Sequence, residues 1–467
     1  MKRLSIKTDS TIWPAPSMRW LLLLWCLLGT SGRQAVGEIT DNVDSRTLQS
    51  AGIRTLTSEH LTLYTDLPSS PDVDELPAIF DQAVETWTQF FDASAGSLDR
   101  WKVTACLIRD KVKFGDYGLL PDDLPPFLHG LQMQDRVWVY EQPGPYYRRH
   151  LLLHEGTHAA MYHIFGRVGP AWYREGIAEF LSTHDIQDGR LMLGILPSDK
   201  KLVEHWGRIR ILHDDISSGN VRSIPSIVNL QARDFLKVES YAWTWALQSF
   251  ASRHPEFSPI FHQLKLEMRF SDQSVTRRFL KEYASRQQEI DLAWSAFLGH
   301  IDYGFDSAHE TVMTAAETSD LGSTAVLRKL DPARGWQSTG LRVPPDSTVD
   351  IAASTRFQVA TSDRAEDLDP EAIKRGRAAQ KPVPWVCEPQ GVTIEYYQQR
   401  PLGMLMAAIV HSDSAQSGTG FLDPTAVGRR GQVTTKSGGT LFLRINERTD
   451  RMGDNAGEIA VHIRMAK

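Results

Sequence analysis

The chain has 467 residues, 41% of them hydrophobic and 23% charged, which suits two or three globular domains with ample core. Its formal net charge of −6 offers no basic surface for nucleic acid, so no nucleic-acid partner is expected. At the N-terminus, Lys2, Arg3, Lys7 and Arg19 flank an apolar run at 20–28 that is too short to span a bilayer as a helix. Ala35-Val36-Gly37 is a small-x-small cleavage site. Residues 1–37 therefore read as a signal peptide, with the mature chain starting near Glu38 and export to the periplasm, cell surface or medium. The polar stretch before the apolar run is long for a signal, so an N-terminal membrane tether is the alternative. Cys26 follows Trp25, where a lipoprotein box places a small residue.

Residues 38–305 read as one unit. Strands are expected at 61–64 and 101–108, with a helix between them at 72–92. That helix has an apolar stripe at Leu76, Ile79, Phe80, Ala83, Val84, Trp87 and Phe90. A short strand at 136–140 precedes Pro143-Gly144-Pro145, which breaks the chain, and a helix starts near Tyr146. Trp87, Trp101, Trp138 and Trp172 are expected in the core. Cys106 and Cys387 fall in different parts of the chain, so two unpaired buried thiols are expected although export permits a disulfide.

The chemistry concentrates in His154-Glu155-Gly156-Thr157-His158 and the later Trp172-Tyr173-Arg174-Glu175-Gly176-Ile177-Ala178-Glu179-Phe180. Residues four apart share a helix face, so His154 and His158 can aim at one point. Two imidazoles and a carboxylate are a usual ligand set for catalytic zinc, and Glu155 stands where a base would take the proton of a water. Sixteen residues separate His158 from Glu175, room for a turn at 166–170 and a second helix. Glu175 and Glu179 are again four apart. One can bind a metal while the other accepts the N–H of a ligand histidine. His150 lies one turn before His154 and is expected at the surface or behind the ligands, because three histidines on one straight helix do not converge on one ion. His163 is rotated off that face and is expected to be structural.

This pair of motifs resembles the gluzincin metallopeptidases, the thermolysin-like and aminopeptidase-N-like superfamily. The resemblance makes Glu175 the third zinc ligand and Glu179 the carboxylate behind the histidine. It also implies that substrate backbone pairs with an edge strand beside the motif helix, for which 136–140 is the candidate. A metzincin would need glycine at 161 and histidine at 164, where this chain has Met161 and Ile164. The Gly-x-Met-Glu-Asn segment of gluzincin aminopeptidases is not found upstream, which disfavours an exopeptidase. The stretch from His60 to Phe180 is also similar to a group of peptidase-like proteins frequent in planctomycete bacteria.

From Pro225 onward the pattern is helical, at 239–252, 258–268 and 274–283. Gluzincins often place a Tyr or His from these later helices over the zinc, and Tyr241 is the candidate oxyanion donor. Residues 306–334 read as a linker. Beyond Gly335, β-patterned runs at 348–352, 392–397, 404–410, 440–445 and 458–463 are divided by turn residues, and a polar insertion occupies 361–384. The expected fold class is α+β, a gluzincin-like domain at 38–305 followed by an antiparallel β-sandwich at 335–467.

The C-terminal part resembles the galactose-binding-like sandwich of the calcium-dependent bacterial galactose lectin. The residues that carry this are Gly335 to Leu341, Pro401 to Leu405, Leu443 to Glu447 and Gly453 to Gly457. The resemblance implies calcium at Glu447, Asp454, Asn455 and the Arg451 carbonyl, with Glu447 in place of an aspartate and Asp454 in place of an asparagine. The expected protein is an exported zinc endopeptidase acting on a peptide or protein, with a glycan or cell-surface partner for the sandwich. The competing expectation is a non-catalytic surface or carbohydrate-binding protein built on a peptidase-like scaffold.

Overall fold

Buried strands with side chains pointing to both faces organise the first half of the chain. The computed structural model describes residues 45–94, 96–255, 257–360 and 384–466. The expected signal peptide and residues 361–383 of the polar insertion lie outside them. The order begins α1 (Ser45–Ser50), β1 (Arg54–Thr57), β2 (Leu61–Thr65), α2 (Pro71–Asp74), α3 (Leu76–Phe90), β3 (Val103–Ile108), α4 (Lys111–Asp116), β4 (Gly130–Met133) and β5 (Arg136–Tyr140). These strands form one mixed sheet in the order β1-β2-β3-β5-β4. β2, β3 and β5 are parallel, while β1 and β4 run antiparallel at the edges. The period of two in β3 places Val103, Ala105 and Leu107 in the large core with α3, and Cys106 and Ile108 in a smaller core with Phe114 and Trp138.

The helix expected at 72–92 is two helices. Pro77 opens α3, and its ring cannot be accommodated behind an uninterrupted helical turn, so Glu75 closes α2 instead. The edge strand also differs from expectation. β5 at Arg136–Tyr140 is interior, and the four-residue β4 is the free edge.

Next come α5 (Pro145–Phe165), α6 (Ala171–Ser182), the hairpin β6 (His184–Gln187) and β7 (Arg190–Leu193), α7 (Arg208–Ser217), α8 (Ile224–Val228), α9 (Val238–Arg253), α10 (Ser258–Glu267), α11 (Asp272–Ser285) and α12 (Gln287–His300). Two glycines let helices approach closely. A Cβ on Gly156 of α5 would lie 2.7 Å from both Phe80 and Trp87 of α3. One on Gly176 of α6 would lie 2.6 Å from Gln248 of α9. Trp87, Trp101, Trp138 and Trp172 are all buried, as expected.

The remaining strands are β8 (Ser319–Asp320), β9 (Val326–Leu330), β10 (Gln337–Val343), β11 (Ser347–Ala353), β12 (Phe357–Ala360), β13 (Trp385–Cys387), β14 (Val392–Tyr397), β15 (Arg400–Leu402) and β16 (Leu405–Val410). A short helix α13 (Ser412–Gln416) precedes β17 (Thr425–Ala426), β18 (Arg430–Thr435), β19 (Gly439–Ile445) and β20 (Ile459–Met465). They make a five-stranded sheet, β17-β16-β19-β10-β8, and a four-stranded sheet, β18-β11-β20-β9. Side chains from both sheets, among them Leu341, Leu405, Leu443, Val349, Val461 and Ile463, share one core. β14 pairs with β15 in a separate ribbon rather than joining either sheet.

The stretch 306–334 is more than a linker, since β8 and β9 are edge strands of these two sheets. β8 is too short to show a period, and β9 leaves Leu327 exposed. The five-stranded sheet is covered on its second face as well. Met406, Ala408, Val410 and Phe442 pack with Trp336, Phe421 and Ala296 of α12. The whole is a mixed α+β chain in which Cys106 and Cys387 are buried and unpaired.

Candidate metal centre

Helix α5 starts where Gly144 leaves extended backbone and Pro145 sets the first helical φ. It stops at Gly166, whose φ of 69° is the left-handed C-cap that glycine supplies, its N–H returning to the Tyr162 carbonyl. Gly169, also at positive φ (83°), completes the turn into α6. The turn lays α6 beside α5, so the two i, i+4 pairs face each other.

The distances are those of a ligand set. His154 Nε2 is 3.4 Å and His158 Nε2 is 3.5 Å from the same Glu175 oxygen, Oε2. Three atoms each about 2.0–2.1 Å from one tetrahedral ion stand about 3.4 Å apart, so both His–Glu175 separations match a zinc-sized cation, and all three donors lie within 4.8 Å of one another. The two rings are nearly perpendicular, with centroids 4.8 Å apart. The other carboxylate oxygen, Glu175 Oε1, accepts from Arg174 Nε at 2.7 Å, which turns Oε2 toward the histidines.

Glu179 stands behind His154. Its Oε2 is 3.3 Å from His154 Nδ1, a contact that keeps the proton on Nδ1 and the Nε2 lone pair free for a cation. Its Oε1 accepts from Arg208 Nε at 2.7 Å and lies 3.1 Å from His150 Nε2. His150 is fully buried rather than at the surface, and its Nδ1 meets the Ser182 carbonyl at 2.9 Å. His150, His154 and Glu179 also cluster closely enough to suggest a second ion site. The Arg208 guanidinium already occupies that carboxylate, so a cation there would face a fixed positive charge. The trio His154, His158 and Glu175 has the better chemistry. His163 lies partly exposed beside Trp101 and Asp135, away from the cluster.

Burial and charge set the protonation states. Burial alone would strip His154 of its charge, but Glu175 and Glu179 outweigh it and raise its pKa to about 10. Burial also opposes ionisation of the two carboxylates, yet His158, His154 and Arg174 hold Glu175 well below its usual range. Arg208, His150 and His154 do the same for Glu179. Without an ion, the cluster therefore holds a proton that a cation displaces. Burial, with Glu175 nearby, pushes Glu155 up to about 7 against the pull of His154 and Arg174.

Glu155 is also covered by the sheet edge. A Cβ at Gly130, the first residue of β4, would fall inside van der Waals contact of Glu155 Oε1. Tyr241, in the first turn of α9, sets its ring 6.1 Å from that of His154, edge-on to Phe235 and 5.6 Å from the Arg208 guanidinium carbon. Burial, and then Glu175, Glu179 and Glu155, raise its pKa far above the ordinary phenol value, so the hydroxyl is a proton-bearing donor.

The residues expected to hold calcium fall in the connection between β19 and β20. Glu447 and Asn455 are buried, with Asn455 Nδ2 donating to Glu447 Oε2 at 2.8 Å and to the Pro332 carbonyl at 3.0 Å. The Arg451 side chain pairs with Glu395 at 2.9 Å, and the Asp454 carbonyl accepts from Gln358.

Sequence reading alone misses Arg208, Arg174 and Gly130 as parts of the centre. Arg208 lies 29 residues beyond Glu179 in no motif. Arg174 is in the motif but at a position with no periodic meaning. Gly130 is distinguished only by what folds over it.

No family model and no curated protein matches this chain. Among solved structures, one described as "EclA N-terminal domain; PllA-like lectin" is similar over 30% of this chain and 95% of its own length, at 19% identity and a TM-score of 0.20.

Proposed function

We propose that this chain is an exported zinc-dependent endopeptidase with a gluzincin-like catalytic domain and a C-terminal β-sandwich that docks it to a surface, glycan or partner. One observation carries the reading. His154 Nε2, His158 Nε2 and Glu175 Oε2 converge at the spacing of a tetrahedral site, with Glu155 buried beside them.

When bound, zinc supplies Lewis acidity toward a water and toward the scissile carbonyl. Glu155 takes the water's proton and delivers it to the leaving amine. The Tyr241 hydroxyl donates to the carbonyl oxygen as it gains charge. Glu179, braced by Arg208 and His150, holds the His154 ring in its working tautomer. The free edge of β4 pairs with the substrate backbone and presents the bond beside Glu155.

Elemental analysis tests the centre, and peptide hydrolysis tests the chemistry. The purified chain is expected to hold one zinc, lost in the His154→Ala, His158→Ala double variant. Glu155→Gln is expected to keep zinc while hydrolysis of an unfolded protein falls about 10²-fold or more. Stoichiometric zinc in the double variant, or undiminished cleavage by Glu155→Gln, overturns the reading. Export is checked by finding Glu38 at the mature N-terminus.

A second reading gives the binding role to the sandwich alone, with calcium at Glu447, the Arg451 carbonyl, Asp454 and Asn455. Its support is that Asn455 Oδ1 is buried without a hydrogen-bond partner among the described residues. Calcium binding there raises the melting temperature by mass action, and no shift at millimolar calcium removes it.

A further inference from the structure

Arg174 has hydrogen-bonding capacity that the protein does not use. Its Nε donates to Glu175 Oε1 at 2.7 Å, and among the described residues its Nη1 and Nη2 groups make no hydrogen bond. The side chain is 30% exposed and the Glu175 side chain it bonds is 9% exposed, so Arg174 reaches solvent in part beside a buried carboxylate. Arg208 is different. It is fully enclosed, bonded to Glu179, and packed against the Tyr241 ring. Arg208 braces the centre from within, and Arg174 is partly open to solvent.

Glu155, Glu175 and Glu179 face Arg174, Arg208 and, when it is bound, a divalent ion, while Asp272 also faces Arg174, so the charges near the rim balance and the unused Nη groups are what an anion would find there. Arg174 holds the carboxylate whose other oxygen stands 3.4 Å from His154 Nε2 and 3.5 Å from His158 Nε2, so its guanidinium lies next to the candidate ion site. A guanidinium anchored through Nε alone leaves its two amino groups as a planar pair, the geometry that receives a carboxylate in two parallel hydrogen bonds.

We infer that Arg174 is a specificity-determining residue whose Nη1 and Nη2 bind a carboxylate of the substrate peptide within about two residues of the scissile bond. The inference rests on the peptidase reading for its substrate, but it concerns binding and is tested as binding. The carboxylate has two possible sources, an acidic side chain or the free α-carboxylate of the chain end.

The test uses the full mature chain carrying Glu155→Gln, loaded with zinc, and fluorescent peptides whose anisotropy reports affinity. One pair of peptides differs by Glu against Gln in an amidated sequence. A second pair differs by a free against an amidated C-terminus. One of the two pairs is expected to show at least about tenfold tighter binding of the acid, the effect of a charge-assisted pair. The responding pair identifies the source. Adding Arg174→Gln is expected to bring the ratio to within about twofold of unity. Arg174→Lys is expected to retain part of it, keeping the charge without the fork.

Zinc content measured on each variant separates loss of the rim contact from loss of the metal. Equal affinity for acid and neutral peptides, no measurable binding of either acid, or a preference that survives Arg174→Gln overturns the inference. Failure of the parent chain to hydrolyse any peptide while holding zinc counts against the peptidase reading instead, and the binding ratio is read independently of it.

Discussion

Arg208 shows how a residue outside every motif can govern the centre. Its Nε fixes Glu179 Oε1, and Glu179 Oε2 in turn fixes His154 Nδ1. Removing it leaves Glu179 buried beside His150 with no fixed cation, so the carboxylate either takes a proton or rotates away. Arg208→Met keeps much of the volume and removes the charge. It is expected to lower zinc affinity about 10- to 100-fold, the range seen when the partner of a ligand histidine is lost, and to do so with the ligands intact. Competition with a chromogenic zinc chelator measures this, and unchanged affinity would mean that Glu179 orients His154 unaided. The same variant removes the cation facing the Tyr241 ring. Hydrolysis per bound zinc is therefore expected to fall as well. His154 with His158, and Glu175 with Glu179, are legible in the sequence because a period of four puts each pair on one face, and Glu155 is legible from its place beside the first histidine of the motif. Arg208, Arg174 and Gly130 are not, because their roles arise from contacts between elements distant in sequence.

At the scale of elements, β4 lies directly over Glu155. It is four residues long, partly exposed throughout, and has no alternation to mark it, whereas β5 beside it reads clearly as Val137-Trp138-Val139. This is why the sequence pointed to β5 as the edge and the structure places β4 outside it. Gly130→Ala introduces a methyl group where Glu155 Oε1 lies, so either the strand or the base must move. Hydrolysis is expected to fall about tenfold or more with zinc content unchanged, since small misplacements of a catalytic group carry penalties of that size or larger. Full activity in Gly130→Ala would show that β4 yields freely and does not define the cleft.

The long helices α5, α6 and α9 were legible from motif and period. The hairpin β6–β7 carries its own signal in Asp188-Gly189, both residues at positive φ. β9 was hidden by its position at a sheet edge. It pairs residue for residue with β20 from Val326↔Ile463 to Leu330↔Ile459, so a fragment starting at 335 leaves the β20 edge open. A fragment of residues 317–467 is expected to melt cooperatively at a higher temperature than one of 335–467, as followed by circular dichroism. Equal melting temperatures would mean that β8 and β9 add nothing to the two-sheet core.

At the scale of the whole molecule, the two halves meet through a buried polar knot. Arg444 of β19 donates through Nη1 to both Glu310 oxygens at 3.0 Å, and its guanidinium carbon lies 5.6 Å from the Trp336 ring. Trp336 Nε1 donates to His300 Nε2 of α12 at 3.2 Å, and that nitrogen is 3.9 Å from Glu310 Oε1. Tyr397 approaches the same imidazole at 3.4 Å. Burial raises Glu310 from its ordinary value of 4.5 to about 7, and Arg444 only partly offsets this. Burial, aided by Arg444, holds His300 well below 6.5. The two groups bias stability in opposite directions. Between pH 4.5 and about 7 the folded chain keeps the Glu310 proton that the unfolded chain releases, so this contribution falls as pH rises. Below about pH 6.5 the unfolded chain binds a proton that His300 refuses in the fold, so that contribution falls as pH drops. The parent chain is therefore expected to show a shallow dependence of melting temperature on pH across this range. Glu310→Gln removes one arm and leaves the acid-side loss from His300 exposed, steepening the decline below about pH 6.5. The Glu310 arm amounts to at most about 3 kcal/mol. Glu310 also lines a cavity of about 230 Å³ with residues of α9, α12 and the 305–314 stretch, and water there would reduce the shift further. Thermal melts of the parent and of Glu310→Gln from pH 4.5 to 8 decide the matter. Parallel curves would mean that Arg444 keeps Glu310 ionised throughout and that the knot is an ordinary ion pair.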